Sequence, residues 1–305
     1  MQTTDDTFLV TGGTGNTGRR VAARLAGLGH RVRAGSRRPA AGRAAPGVEH
    51  ARFDWEDTST HAPALAGARG VYLVPPTAAS DPAAPMLPFL RTARSLGVRR
   101  VVLLSSSAIP EADNGDGDGD GDGDGDGDGN GLGAVHRAVR EEFPEWAVLQ
   151  PSWFMQNFTG DHIHAHSIRA DDEIVTATGD GRVGFVDAED IAEVGVRALT
   201  DARPHNTAHL ITGPEALSYA DVAATVSGLA GRPVRHRAIG YEAMRERLTA
   251  SGVPERFAGL LADMDRAISE GAEDRTSPTV ERVTGRPPRA FAAHAAANAA
   301  AWERN

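Results

Sequence analysis

Four glycines crowd into Thr11-Gly12-Gly13-Thr14-Gly15-Asn16-Thr17-Gly18, directly after the strand-like run Thr7-Phe8-Leu9-Val10. Gly12, Gly15 and Gly18 fit GxxGxxG; Gly13, Gly15 and Gly18 fit GxGxxG. The chemistry of such a turn is anion binding. One glycine permits the tight turn, another lets the backbone approach a pyrophosphate, and a third lets helix and strand pack closely. Free N–H groups and the macrodipole of the following helix then hold the charge. An NAD site places Asp or Glu roughly 20 residues further on, against the ribose hydroxyls. Here the stretch reads Ala34-Gly35-Ser36-Arg37-Arg38, with two guanidiniums and no acid. Guanidinium forks suit a 2′-phosphate, so NADP(H) is favoured over NAD(H). Asp54, at the end of the third strand expected below, is placed to accept a hydrogen bond from an adenine amine.

Other chemistries are excluded by residue type. The chain has no cysteine, which removes disulfides, thiolate nucleophiles and cysteine-ligated metals. It also has no lysine; all 32 basic side chains are arginine, so Schiff-base chemistry is absent. No Gly-x-Ser-x-Gly elbow supports a Ser-His-Asp hydrolase. The run Asp161-His162-Ile163-His164-Ala165-His166 raises a zinc site, because alternate imidazoles share one face of a strand and His162 and His166 share one face of a helix. Pocket-lining or solvent-facing histidines are the preferred reading, and no metal is assigned.

The elements that must position these groups alternate. Strands are expected at 7–10, 31–34, within 48–55, and at 70–74, 100–104 and 146–149. Helices are expected at 17–28, closed by Gly29, and at 86–96. This alternation implies βαβ units, right-handed crossovers and a parallel sheet. Further on, a helix is expected over 186–199, with Asp187 as N-cap and Asp190 completing a capping box. Ser218 and Asp221 repeat that arrangement before a helix at 222–230. Amphipathic helices are expected at 241–250 and 254–268. The tract 115–131 alternates Gly and Asp, has no apolar side chain and is expected to be a flexible insertion. Its spacing fits neither the EF-hand loop nor the glycine-rich nonapeptide repeat of calcium-binding proteins.

The net charge is −9 over 305 residues, and seven of the acids lie in that tract. The remaining body is nearly neutral, which opposes a nucleic-acid partner. No run of 18 apolar residues marks a membrane span, and the polar, acidic start is unlike a secretion signal. A cytoplasmic protein with a small-molecule substrate is expected, monomeric or dimeric. The sequon Asn157-Phe158-Thr159 is therefore read as chance.

Several motifs together resemble the NmrA-like atypical short-chain dehydrogenase/reductases. They are the glycine turn, Arg37, Phe53-Asp54-Trp55, Leu73-Val74-Pro75-Pro76, the run 101–106, the segment Gln150 to Phe158, and Gly184 to Ala192. Phe53 to Asp57 and Val74-Pro75-Pro76 are most similar to bacterial relatives of the ergot-alkaloid iminium reductases, of the agroclavine and festuclavine dehydrogenase type. The resemblance implies a doubly wound parallel α/β sheet (Rossmann) with a small, mainly helical C-terminal substrate domain. Residues 1–150 and 183–200 would form the dinucleotide-binding part, and 151–182 with 201–305 the substrate-binding part. Thr11, Gly12, Thr14, Gly15, Asn16, Thr17 and Gly18 would surround the pyrophosphate. Ser36, Arg37 and Arg38 would take the 2′-phosphate, and Asp54 the adenine. Val74, Pro75 and Pro76 would line the ribose and nicotinamide, with Ser105 and Pro151 also at the cofactor; Ser105 to Ser107 lie where short-chain dehydrogenases carry their catalytic serine. Ser152, Trp153, Phe154 and Asn157 would contact substrate.

One departure from that family narrows the chemistry. The usual Tyr-x-x-x-Lys pair, which protonates the alkoxide in carbonyl reduction, is missing; the corresponding helix reads Ala134-Val135-His136-Arg137. His136 is the candidate substitute acid and Ser106 the candidate orienting hydroxyl. An iminium is already electrophilic and yields a neutral amine after hydride addition, so it needs less acid help. NADPH-dependent reduction of a small cyclic imine or iminium is therefore the expected activity. The rival readings are a non-catalytic NAD(P)-sensing regulator, a quinone or activated-alkene reductase, and a non-redox isomerase or cyclase.

Overall fold

The central strands of the first half are short and apolar, and helices alternate with most of them. A computed structural model of the chain describes residues 6–39, 46–77, 79, 81–109 and 131–303. In chain order the first elements are β1 (Thr7–Val10), α1 (Gly18–Gly27), β2 (Arg31–Ser36), β3 (Val48–Arg52), α2 (His61–Leu65), β4 (Ala68–Leu73), α3 (Ala83–Ser95), β5 (Arg100–Leu104), α4 (Leu132–Glu142) and β6 (Glu145–Pro151). The later ones are α5 (Ile163–Asp171), β7 (Glu173–Thr176), β8 (Arg182–Val183), α6 (Ala188–Thr200), β9 (Thr207–Ile211), β10 (Leu217–Ser218), α7 (Tyr219–Ala230), β11 (Arg235–Ala238), α8 (Tyr241–Ala250), α9 (Glu255–Ser269), α10 (Thr279–Thr284) and α11 (Phe291–Ala297).

Among the described residues seven strands form one sheet in the order β3-β2-β1-β4-β5-β6-β9. The pairs from β3 across to β6 are parallel. The order reverses between β1 and β4, which makes the carboxyl ends of those strands the switch point where ligands of open α/β sheets bind. The fold is thus the expected doubly wound α/β sheet, with a mainly helical C-terminal region.

The chain divides into two compact units, residues 1–150 with 191–209 and residues 151–190 with 210–305. The stretch 183–190, grouped above with the first part, belongs to the second unit. The reason is packing: Val183 and Phe185 are buried in the second unit's core. Residues 201–209 join the first unit, where the Asn206 amide donates to the Trp146 carbonyl at 2.9 Å.

In the first unit Leu9, Val71, Leu73, Val101, Leu103 and Val148 of the sheet bury against Met86, Phe89 and Leu90 of α3 and Val135 and Val139 of α4. In the second, Met155, Phe158, Phe185, Tyr219, Phe291 and Trp302 form an aromatic core. A smaller cluster of Met244, Leu248 and Ala258 joins α8 to α9.

The capping expectations divide. Ser218 Oγ accepts from the Asp221 amide while the Asp221 carboxylate accepts from the Ser218 amide, a complete capping box on α7. At α6, Asp187 Oδ1 accepts from the Glu189 amide at 2.9 Å, but the Asp190 carboxylate accepts from the Arg289 amide at 2.8 Å. A long-range partner thus replaces the local one. The Gly-Asp tract lies outside the described residues, Gly131 excepted.

Candidate active site

The glycine turn leaves β1 and enters α1 with Gly12 at φ +61°, a left-handed position that favours glycine. A Cβ on Gly13 would lie 2.8 Å from Cβ of Ala34, and one on Gly18 would collide with the Gly12 carbonyl oxygen. These two glycines let loop, helix and strand touch. Gly15 differs: its Cβ would meet only the Gly12 carbonyl, at 3.2 Å, and Thr14, Gly15 and Asn16 are exposed. Their backbone is therefore exposed to an approaching anion at the positive end of α1, where the Gly15 amide donates to the Gly12 carbonyl at 2.8 Å and the Arg19 amide to the Gly15 carbonyl at 3.2 Å.

Thr11 is spent inside the protein. Its hydroxyl accepts from the Val74 amide at 2.7 Å and lies 3.3 Å from the Tyr72 and Val74 carbonyls. It clamps the end of β1 to the segment Val74-Pro75-Pro76, which is half-buried after β4. Thr17 is also buried. At the end of β2, Ser36 Oγ is buried and has no hydrogen-bond partner among the described residues. Arg37 and Arg38 beside it are exposed. An orphaned hydroxyl flanked by two guanidiniums fits a phosphate. Asp54 Oδ1 accepts from the Glu56 amide at 3.1 Å, and His61 Nε2 donates to its carbonyl at 2.9 Å. Phe53, Trp55, His61 and Phe89 pack edge-on or stacked around this corner. The residues present fit a phosphorylated dinucleotide.

At the end of β5, Ser105 Oγ lies 2.5 Å from Nε2 of His136 on α4. The Ser105 amide donates to the Leu149 carbonyl of β6 at 2.7 Å, which fixes the serine at the carboxyl end of β5. His136 is 9% exposed and faces inward with Val135 and Val139. Ser106, the serine singled out above, does not meet His136. Its Oγ accepts from the Ala108 amide at 3.2 Å and shapes the turn.

In the second unit, Ser152 to Phe154 follow β6. The Ser152 amide donates to the Ile211 carbonyl, the Val186 amide to the Trp153 carbonyl and the Met155 amide to the Val186 carbonyl, each at 2.9 Å. Trp153 and Phe154 are half-buried, and Asn157 lies in the single 3₁₀ turn that follows. Ser152 is buried and donates to Glu273 Oε2 at 3.1 Å.

Three features escaped the sequence reading. Asp187 Oδ2 lies 3.1 Å from Nδ1 of His294 and accepts from Arg289, while Gln156 donates to Oδ1. Burial pushes this carboxyl up, but the hydrogen bonds from His294, the Glu189 amide and Gln156 outweigh it and hold it well below the carboxylate range. His294 Nε2 in turn meets Thr159 Oγ1 at 3.1 Å. Asp265 is buried, and burial lifts its carboxyl to about 6 despite the Ala177 amide donating to it. Glu273 is the third. None of Asp265, Glu273 or His294 sits in a motif; each is a polar residue in a helical or loop segment whose partner is distant in sequence.

The histidine run is helical from Ile163 onward. His162 Nδ1 accepts from the His164 amide as the cap of α5, His164 stacks on Phe158, and His166 pairs with Asp161 at 2.8 Å. Burial pushes the His162 imidazole down to about 4. Among the described residues no group of three or more His, Cys, Asp or Glu is arranged to hold a metal ion. No helix among them is long and apolar enough to cross a membrane.

A glycine turn at the switch point of a parallel sheet, followed by a hydroxyl and two arginines, defines a dinucleotide-binding protein. The model of the NAD(P)H-binding family matches residues 12–202, and the chain belongs to that family. It is 46% identical to the uncharacterized oxidoreductase YesF of Bacillus subtilis, over 97% of this chain and 96% of the relative. It is 34% identical to the agroclavine dehydrogenase of Claviceps fusiformis, over 97% and 98%. Among solved structures, the NADPH-dependent quinone oxidoreductase QOR2 of Escherichia coli, complexed with NADPH, superposes with a TM-score of 0.76 at 20% identity, over 95% of this chain and 98% of that one, which shows a shared fold. The protein is an NAD(P)H-dependent reductase.

Proposed function

We propose that the chain reduces a small cyclic imine or iminium with NADPH. The observation that carries this reading is the hydrogen bond between Ser105 and His136 at the end of β5. A hydroxyl and an imidazole paired in this way form a proton-donating couple, which supports a reductase that works without a Tyr-Lys pair. In this reading Thr14, Gly15 and Asn16 hold the pyrophosphate with their backbone, assisted by the start of α1. Ser36, Arg37 and Arg38 bind the 2′-phosphate, Asp54 the adenine, and Val74, Pro75, Pro76 and Pro151 the ribose and nicotinamide. Ser152, Trp153, Phe154 and Asn157 contact the substrate, with residues 151–182 and 201–305 as the substrate-binding part.

Bound by these residues, the reduced nicotinamide supplies a hydride. Ser105 delivers the proton that a neutral imine nitrogen takes up as its carbon gains that hydride. His136, when protonated, donates to Ser105 Oγ and frees the serine's own proton; it is the positioning and recharging group. An alkylated iminium accepts the hydride and becomes a neutral amine with no proton needed. Similarity to a clavine dehydrogenase supports an acceptor of this kind. The test is NADPH oxidation by the purified protein with a dihydroisoquinoline, its N-methyl iminium salt and a benzoquinone. Reduction of the imine and iminium ahead of the quinone is expected. Reduction of the quinone alone overturns the substrate class. Dinucleotide binding with turnover of none of the three overturns the enzymatic reading in favour of a sensor.

A further inference from the structure

Ser152 and Glu273 lie 121 positions apart in the chain, yet their side chains meet in the interior of the second unit, at 3% and 6% exposure. Both ends of the contact are held. The Ser152 amide is tied to Ile211 at the end of β9. Glu273 follows α9 in a turn closed by the Asp274 amide donating to the Gly271 carbonyl at 3.1 Å. The Arg275 guanidinium stands 3.7 Å from Glu273 Oε1, on the other oxygen from the one that Ser152 uses.

A serine hydroxyl has one proton and two lone pairs. Here the proton is committed to Glu273 Oε2, in a charge-assisted bond that is stronger than a neutral one. What Ser152 can offer a third group is acceptor density alone. That density favours an N–H⁺ or the positive flank of an iminium. It opposes a carbonyl or quinone oxygen, which would face it lone pair to lone pair with no proton between.

On the reading that Ser152 contacts substrate, we infer that Ser152 and Glu273 form a polarity filter that selects cationic, nitrogen-centred acceptors over oxygen-centred ones. Ser152 is the specificity-determining contact. Glu273 is a positioning residue that fixes which way the serine proton points and lends the contact its charge.

The test is the ratio of kcat/KM for an N-methyl iminium to that for a quinone of similar size, in wild type, Ser152→Ala and Glu273→Gln. Each variant is expected to lower the ratio about tenfold, the lower range for a hydrogen bond to a charged group. The double variant is expected to fall no further than either single one, because both remove the same interaction. A ratio unchanged in Ser152→Ala overturns the filter, and so does a double variant with fully additive loss. Should Glu273→Gln not fold, Ser152→Ala and a binding measurement decide: an N-methylquinolinium cation should quench the tryptophan fluorescence of wild type at lower concentration than neutral quinoline. That preference should shrink in Ser152→Ala; an equal preference in both proteins overturns the filter. A wild type that binds NADPH but reduces neither acceptor overturns the imine-reductase reading itself, a result distinguishable from an unchanged ratio.

Discussion

Ser105 Oγ and His136 Nε2, 31 residues apart in sequence, stand 2.5 Å from each other where β5 ends and α4 packs against it. The pairing gives the hydroxyl two states. With a neutral imidazole that carries its proton on Nδ1, Ser105 donates to Nε2 of His136. With a protonated one, His136 donates and the serine proton is available to a substrate.

That switch separates two kinds of acceptor. His136→Asn should lower kcat/KM for a neutral cyclic imine by about 100-fold, the low end for loss of a positioned proton donor. The loss for an N-methyl iminium should be far smaller, because that substrate takes up no proton. Initial rates of NADPH oxidation with the two acceptors, in wild type and variant, check this. A merely structural histidine would depress both acceptors alike.

The 2′-phosphate assignment rests on Ser36 and Arg37. Arg37→Ala should weaken NADPH binding about 10- to 100-fold, the range for a lost hydrogen bond to a charged group, and leave NADH binding nearly as it was. Fluorescence titration with both reduced cofactors decides it. Equal losses for the two would remove Arg37 from the site. Ser36→Ala should act in the same direction and more weakly, since it deletes a neutral hydroxyl that is otherwise unsatisfied.

The elements that could be read ahead of the structure are those whose cause is local. The strand at 7–10, the turn and the helix after it follow from an apolar run, glycine spacing and a stop at Gly29, which sits at φ +89°. The capping box at Ser218 and Asp221 is likewise a contact over three residues. Asp190 follows the same local pattern, yet its carboxylate is taken by Arg289, 99 positions away. The histidine run was ambiguous because alternate spacing suits a strand and i, i+4 spacing suits a helix; His162 capping α5 resolves it. Ser105 and His136 were each singled out, but their pairing depends on how α4 packs on β5. Glu273 carried no signal, since the adjacent acids of Gly-Ala-Glu-Asp-Arg have no period and its contact with Ser152 is 121 positions away.

The glycines of the turn do different jobs, and two substitutions separate them. Gly18→Ala places a Cβ against the Gly12 carbonyl, where the start of the helix meets the turn. It should lower the melting temperature and cofactor affinity together. Gly15→Val points into the open face of the loop, where only the Gly12 carbonyl is near. It should leave the melting temperature close to wild type while abolishing dinucleotide binding, because the side chain occupies the path of the pyrophosphate. Thermal melts with and without NADPH distinguish the two. Normal affinity in Gly15→Val would remove the loop from the binding site.

Asp265 predicts how stability changes with pH. Burial raises its carboxyl from 3.8 to about 6 in the folded protein. The native state therefore holds this proton more tightly than the unfolded chain does. Between about pH 4 and pH 6 its contribution to stability falls as pH rises, and above that window the full penalty of a buried charge is present, at most about 3 kcal/mol. Asp187 works in the opposite sense: its lowered carboxyl contributes stability above the ordinary carboxylate range, which is lost as pH falls below it. Asp265→Asn keeps an oxygen to accept from the Ala177 amide and removes the charge. The variant should be more stable than wild type above pH 6, with the advantage vanishing near pH 4. Denaturant unfolding at both pH values measures it. An advantage that is the same at pH 4 and pH 8 would mean that the charge of Asp265 is not its cause.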